Sequence, residues 1–231
     1  MKQLLLENVS KVWGGNKALS NISLSMDSGI IGVVGPNGAG KTTLINIISG
    51  EIRPTSGRVI YDGRDITSLP SYKRVKLGIV KTFQIVRPFK SLTVRENIML
   101  LSRVRDGIDV DEILQITELK SFQNRLPGEL PFGLLKKLEI AKALSTNPEL
   151  VLLDEPFGGL GKEDIKKISE LITTLRTKGR NLMIIEHKIS VLLSLADKIV
   201  LLDRGEKKFE GKIDEFKENK RIGEFYFGGN I

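Results

Sequence analysis

The segment Gly35-Pro36-Asn37-Gly38-Ala39-Gly40-Lys41-Thr42-Thr43 carries the residue types needed to hold a polyphosphate. Its first eight residues fit G-x-x-x-x-G-K-[ST]. In such a loop successive backbone N–H groups curl around phosphate oxygens, and glycines stand where a Cβ would collide. The helix that follows adds the partial positive charge of its N-terminus. The pattern assigns Lys41 to the β- and γ-phosphates and the Thr42 hydroxyl to Mg²⁺. Gly35, Asn37, Gly38, Ala39, Gly40 and Thr43 complete the expected nucleotide cradle. A pair of acids, Asp154 and Glu155, ends the apolar run Leu150-Val151-Leu152-Leu153. Asp154 is expected to hold Mg²⁺ directly or through water, and Glu155 to polarise the water that attacks the γ-phosphate. Gln84, after a short apolar run, is a candidate for the metal and the attacking water. His187 follows the apolar segment Asn181 to Glu186 as a third group at a strand end. Taken alone, Gln84 also reads as an ordinary loop amide and His187 as an ordinary surface histidine.

These residues need elements that deliver them to one place. Ile30 to Gly35 is a β-branched run and reads as a buried strand feeding the phosphate loop. The helical pattern Leu44, Ile45, Ile47, Ile48 follows directly. Leu4 to Val9 and Ala18 to Met26 flank a Trp13-Gly14-Gly15-Asn16 turn and read as paired strands. Gly57 to Tyr61 reads as another strand, with a turn at Asp62-Gly63. From Thr93 to Leu144 the apolar spacing is helical. Strand Leu150 to Asp154, helix Lys162 to Arg176, strand Asn181 to Glu186, helix Ile189 to Leu195 and strand Lys198 to Asp203 follow in order. Gly205 and Gly211 punctuate a final hairpin before a short, charged C-terminal helix. Alternating strands and helices predict a mainly parallel α/β sheet, whose carboxyl edge is where ligands bind.

Composition narrows the chemistry further. The 231 residues include no cysteine and one histidine, which excludes thiolate zinc sites, disulfide frameworks and multi-histidine metal sites. Lys and Arg number 36 against 28 Asp and Glu, a formal net charge of +8. The basic residues are spread along the chain with no block of five or more, so the excess reads as a solvated face, some of it turned to acidic lipid. Nucleic acid is not an expected partner. The longest apolar runs are too short to span a bilayer and the N-terminus lacks the apolar core of a signal peptide, so a cytoplasmic location is expected.

The ordered set Gly35 to Thr43, Gln84, a Leu-x-x-Gly element at Leu130, Asp154-Glu155-Pro156 and His187 resembles the ATP-binding subunit of ABC transporters, over nearly the whole chain. The resemblance implies a RecA-like P-loop NTPase core (about 1–86 and 145–231), a small antiparallel β part and an inserted α-helical subdomain (about 87–144) within one domain. It implies Mg-dependent ATP hydrolysis by Glu155, His187 and Gln84, with Thr42, Gln84 and Asp154 around the metal. It also puts Trp13 at the position whose ring stacks on adenine. Two such subunits close head to tail over two ATPs, on the inner face of the membrane and against transmembrane permease subunits. Within the family, Trp13-Gly14-Gly15, Lys81-Thr82-Phe83-Gln84, Leu92 to Asn97, Leu138-Glu139-Ile140-Ala141, Ile185-Glu186-His187 and the tail Arg221 to Gly228 resemble the branched-chain amino-acid importers. The lipopolysaccharide-export ATPase is also similar, and a non-transport ABC ATPase acting on nucleic acid is the alternative of another class.

Two departures stand out. The family signature Leu-Ser-Gly-Gly-Gln is here Leu130-Pro131-Phe132-Gly133-Leu134, and proline has neither a hydroxyl nor an N–H to offer. Gly161 stands where the family carries Asp or Asn. Both fall on surfaces that one subunit gives to its partner's ATP, which favours a heterodimer with a second ATP-binding subunit over a homodimer.

Overall fold

The computed structural model describes residues 2–102, 104, 109–219 and 222; the importer-like tail Arg221 to Gly228 therefore lies, but for one residue, outside the described chain. Two sheets share the architecture. Strands β1 (Leu4–Trp13), β2 (Asn16–Met26), β4 (Ser56–Tyr61) and β5 (Arg64–Asp65) form an antiparallel sheet in the order β2-β1-β4-β5. Strands β3 (Ile30–Val34), β6 (Ile79–Lys81), β7 (Leu150–Asp154), β8 (Asn181–Ile185), β9 (Lys198–Asp203) and β10 (Glu206–Lys212) form the second, in the order β10-β9-β3-β8-β7-β6. That sheet is parallel from β9 to β6, and β10 alone runs antiparallel, as an edge hairpin on β9.

The central strands are apolar at every position because both of their faces are covered. Val151 and Leu153 of β7 face one core while Leu150 and Leu152 face another, and β8 and β9 divide their side chains the same way. One core holds α5 (Phe132–Leu144), α6 (Lys162–Thr177) and α7 (Ile189–Leu195); the other holds α1 (Lys41–Ser49) and the inner face of the antiparallel sheet. Between β6 and β7 the chain forms α3 (Val94–Ser102), α4 (Val110–Ile116) and α5. The single helical stretch read from Thr93 to Leu144 is thus three helices, interrupted by 3₁₀ turns at Lys120–Phe122 and Pro127–Glu129. Helix α8 (Ile213–Glu218) is the short charged helix expected near the C-terminus. Gly211 lies inside β10 rather than in a turn, and the hairpin turns at Arg204-Gly205 instead. No helix among the described residues is long and apolar enough to cross a membrane.

Two short elements, β5 and α2 (Ser71–Leu77), are absent from the sequence reading. Helix α2 carries Arg74, which is fully buried and binds the end of the phosphate-loop helix. Its guanidinium donates to the carbonyls of Ile47 at 2.7 Å and Ile48 at 2.9 Å, and to those of Leu69 at 2.9 Å and Thr67 at 3.1 Å. Burial pushes its pKa down to about 10, against the pull of Asp65, so the group still carries its charge near neutrality. That charge sits against the negative end of α1, where a cation is stabilising. Replacing Arg74 by Met leaves those carbonyls without a donor and should lower stability by about 3 kcal/mol. A thermal melt should show a fall in Tm of roughly 6–12 °C.

Candidate functional site

The phosphate loop leaves β3 at the carboxyl edge of the parallel sheet and enters α1. Helix α1 begins at Gly40 with no side-chain cap and no acid in its first turn. Its first N–H groups and its positive end are thereby left for an anion, unlike those of α4, where the Asp109 carboxylate accepts from Asp111 N. Gly35 and Gly40 are sterically required. Gly40 has φ +102° and a Cβ there would lie 2.5 Å from the Ala18 carbonyl oxygen, and a Cβ on Gly35 would overlap the Leu202 carbonyl oxygen. Asn37, Gly38, Ala39, Gly40, Lys41, Thr42 and Thr43 line one cleft of about 210 Å³ with Ala18, Glu155 and His187. Gly35 lies beneath it, joined through Lys41, whose ammonium donates to the Gly35 carbonyl at 2.7 Å and the Pro36 carbonyl at 2.9 Å. Burial lowers the Lys41 pKa, and the charges of Glu155 and Asp154 oppose that fall.

Glu155 is held from both sides. Gln84 Nε2 donates to Glu155 Oε2 at 2.8 Å, and His187 Nε2 lies 3.0 Å from Glu155 Oε1. The three residues arrive from the loops after β6, β7 and β8, adjacent strands whose ends share the sheet's carboxyl edge. The Glu155 backbone has φ +50°, a left-handed conformation that costs a non-glycine residue of order 1 kcal/mol. It turns the chain sharply off β7, so that Asp154 and Glu155 face different surroundings. Asp154 is buried and lines a small cavity with Thr82, Phe83, Lys136, Glu139, Ile140 and Pro156. Desolvation raises its pKa, opposed by Lys81 and reinforced by Glu155.

Trp13 stands apart from the phosphate cleft. It ends β1 at the Gly14-Gly15 turn, pairs with Asn16 and is 52% exposed. The Lys11 ammonium covers one face of its ring at 4.1 Å from the centroid and also donates to the Arg53 carbonyl at 2.8 Å. Two groups that the sequence reading did not single out hold the site's loops together. The buried Glu186 carboxylate accepts from Phe157 N at 3.0 Å, His187 N at 2.6 Å and Lys188 N at 3.1 Å, tying the loop after β8 to the loop after β7. Lys136 of α5 reaches the main chain of Gln84 and Glu155. The sequence signal for Lys136 is a lysine pair, Lys136-Lys137, flanked by leucines in a helix that also carries Glu139 and Lys142.

The altered signature turn has its own packing. Pro131 precedes α5 without a side-chain cap, Phe132 is 46% exposed, and Leu134 packs half-buried against the larger core. The Phe132 ring lies against Gly159, and a Cβ on Gly133 would meet the Asp164 carboxylate within 2.5 Å. Gly161 precedes α6, again without a side-chain cap.

A phosphate loop entering an uncapped helix, followed by two acids at the end of β7, is joined by a match of residues 19–158 to the family described as ABC transporter. The chain belongs to that family. It is 33% identical, over 99% of its own length and 96% of the other, to a probable branched-chain amino acid transport ATP-binding protein of Archaeoglobus fulgidus. It is 31% identical, over 99% and 98%, to a lipopolysaccharide export system ATP-binding protein of Haemophilus influenzae. A dimeric ATP-binding cassette bound to ADP and Pi superposes with a TM-score of 0.81 at 30% identity, covering 91% of this chain and 98% of that one. The chain is thus an ABC cassette with a RecA-like P-loop core that binds and hydrolyses ATP, and the mixed α/β architecture expected from its sequence is borne out.

The raised pKa of Asp154 has a definite sign in the stability of the metal-free protein. The folded state favours the protonated acid more than the unfolded chain does, so stability falls as pH rises through the shifted pKa, and the penalty is fully present above it. In excess chelator at pH 7, Asp154→Asn should therefore melt roughly 2–4 °C higher than wild type. The gap should close as the pH is lowered and Asp154 takes up its proton.

Proposed function

We propose that this cassette is the Mg-ATP-driven motor subunit of an amino-acid importer of the branched-chain type, peripheral on the inner membrane face and paired with an unlike cassette. The observation that carries the catalytic part is the position of Glu155, clasped by Gln84 and His187 at the mouth of the phosphate cleft. The β- and γ-phosphates enter among the N–H groups of Asn37 to Thr43, and Lys41 exchanges two loop carbonyls for phosphate oxygens. A carboxylate at that mouth takes the proton of the attacking water, general-base help worth roughly 10²–10⁴ in rate. His187 holds Glu155 in orientation and Gln84 reports the γ-phosphate to the helices that follow it.

The donor types proposed for the metal suit a hard cation, although Thr42 lines the phosphate cleft and Asp154 the small cavity beside it. Thr42 offers a hydroxyl, Asp154 a carboxylate, and Gln84, whose Nε2 is engaged with Glu155, has its amide oxygen free to accept. No cluster of three His, Cys, Asp or Glu among the described residues holds a metal by itself, so the phosphates would supply further ligands. Mg²⁺ there would neutralise charge that develops on the phosphate oxygens. Adenine would stack on the face of Trp13 that Lys11 leaves open.

Transmission to the membrane uses a second cavity of about 370 Å³, beside Phe83, Arg87 and Phe89 after β6 and Leu101, Glu139 and Lys142 of α3 and α5. This groove between the core and the helical subdomain (87–144) would receive a segment of a permease subunit. The case for an amino-acid cargo is the Archaeoglobus relative, together with the resemblance of Trp13-Gly14-Gly15 and Ile185-Glu186-His187 to the branched-chain importers. The Haemophilus relative, at nearly the same identity, supports lipopolysaccharide export as the second reading. Proteoliposomes holding the permease subunits should hydrolyse ATP faster when a leucine-loaded binding protein is added and not when lipopolysaccharide is added; the reverse result gives the exporter.

The heterodimer rests on Pro131 and Leu134, which remove donors from the surface offered to the partner's γ-phosphate. Glu155→Gln should bind Mg-ATP, quench Trp13 fluorescence and hydrolyse about 10²–10³ times more slowly. Its mass in solution should remain that of a monomer with Mg-ATP bound. A dimer of this variant alone would overturn the unlike-partner reading and make the cassette a homodimeric motor.

A further inference from the structure

Lys136 is buried in the second turn of α5, two residues beyond the signature turn Leu130 to Leu134. Its ammonium donates to the Gln84 carbonyl at 2.9 Å and to the Glu155 carbonyl at 3.2 Å. One side chain thus joins three segments that the chain keeps far apart: the loop after β6, the turn after β7, and the helix that presents the signature. The placement is demanding, because a buried ammonium is tolerated only when its donors are satisfied. It is also aimed at main chain. The Glu155 carboxylate is already fixed by Gln84 and His187, and Lys136 fixes the backbone of the same residue, which sits at φ +50°. The Gly158 N–H accompanies it on that carbonyl at 3.2 Å.

Lys136 itself stays buried but faces a residue of the outer surface. Its ammonium lies 5.8 Å from the centroid of the half-exposed Phe132 ring, which itself rests against Gly159 in the loop beyond Glu155. Pressure on the signature turn therefore bears on Phe132 and Lys136, and through Lys136 on both carbonyls.

We infer that Lys136 is a positioning residue that makes the alignment of Glu155 and Gln84 depend on where α5 stands. Hydrolysis is then conditional on the signature helix being seated, in the same subunit whose phosphate loop holds the ATP. The link runs within one chain, from the surface given to the partner's site back to the chain's own hydrolytic carboxylate. The phosphate cleft does not include it, since Lys136 is not among the residues that line that cleft.

This inference rests on the catalytic role proposed for Glu155, and the test separates the two. The full chain is reconstituted with its permease subunits and the unlike cassette as wild type, Lys136→Met, Lys136→Gln and Lys136→Arg. Mg-ATP affinity is read on the isolated chain from Trp13, its one tryptophan, and kcat from steady hydrolysis by the reconstituted complex. Lys136→Met should keep the Kd for Mg-ATP within about twofold and lower kcat about 10²-fold, the size expected when a reacting group is misplaced by an ångström. Lys136→Arg should recover most of the rate and Lys136→Gln only part. Amide exchange at 84–87 and 155–158 should quicken in the Met variant without nucleotide. An unchanged kcat, a Kd that weakens in step with Tm, or an Arg variant as slow as Met overturns the inference. If the Met variant fails to fold, a tenfold or greater advantage of Arg over Gln supports it and equal rates overturn it. A Glu155→Gln variant that hydrolyses as fast as wild type would instead overturn the role of Glu155 itself.

Discussion

Burial of the parallel sheet on both faces is the constraint on which the rest depends. Strands β3, β7, β8 and β9 alternate their side chains between two cores, so none of them has a wet face on which a polar group can stand. Charge is admitted only where the strands end. The phosphate loop, Asp154-Glu155 and His187 all follow strand ends on one edge, and β6 delivers Gln84 to the same edge. The site is a consequence of a sheet that allows chemistry nowhere else, as parallel α/β architectures generally do.

At that edge the difficulty is to hold acids near the place where a polyphosphate must sit. The chain meets it by giving the two acids different environments. Asp154 stays in line with β7, buried, where desolvation penalises its ionised form. Glu155 is turned out of line by its positive φ and braced by an amide, an imidazole and, through its carbonyl, an ammonium. Lys41 supplies the opposing charge, partly desolvated and resting on carbonyls that a phosphate can displace. Local strain and desolvation are thus concentrated on a few residues that a ligand would relieve, while Arg74 and Glu186 hold the scaffold around them.

What could be read from the sequence was what is contiguous in it. The phosphate loop, the apolar run into Asp154-Glu155 and the hairpin at Trp13 each carry their meaning within about ten residues. The ranges of β3, β7 and α6 follow closely from apolar periodicity. Residues whose role is to join distant segments carry no such local mark. Arg74 in a helix of seven residues looks like one more surface cation, yet it is fully buried on carbonyls of α1. Glu186 was visible only as the neighbour of His187, and Lys136 only as part of a lysine pair. Long-range hydrogen bonds to main-chain carbonyls leave no residue-type signature at the accepting end, because every residue has a carbonyl.

The same asymmetry bears on the altered signature. On the proposed reading, Pro131 and Leu134 remove side-chain donors that would act on a partner's nucleotide, while Glu186, Lys136 and the Gln84–Glu155–His187 contacts brace the loops at this chain's own phosphate cleft. Leu134 has a structural use, since its side chain packs against the larger core where a glutamine would have to bury an amide. Phe132 has one as well, bracing Gly159 and standing over Lys136. Thus what the turn no longer offers outward it uses inward, to fix α5 against the loop that carries Glu155. On the unlike-partner reading proposed above, a cassette built this way is specialised for its own ATP, and its second site depends on what the other subunit supplies.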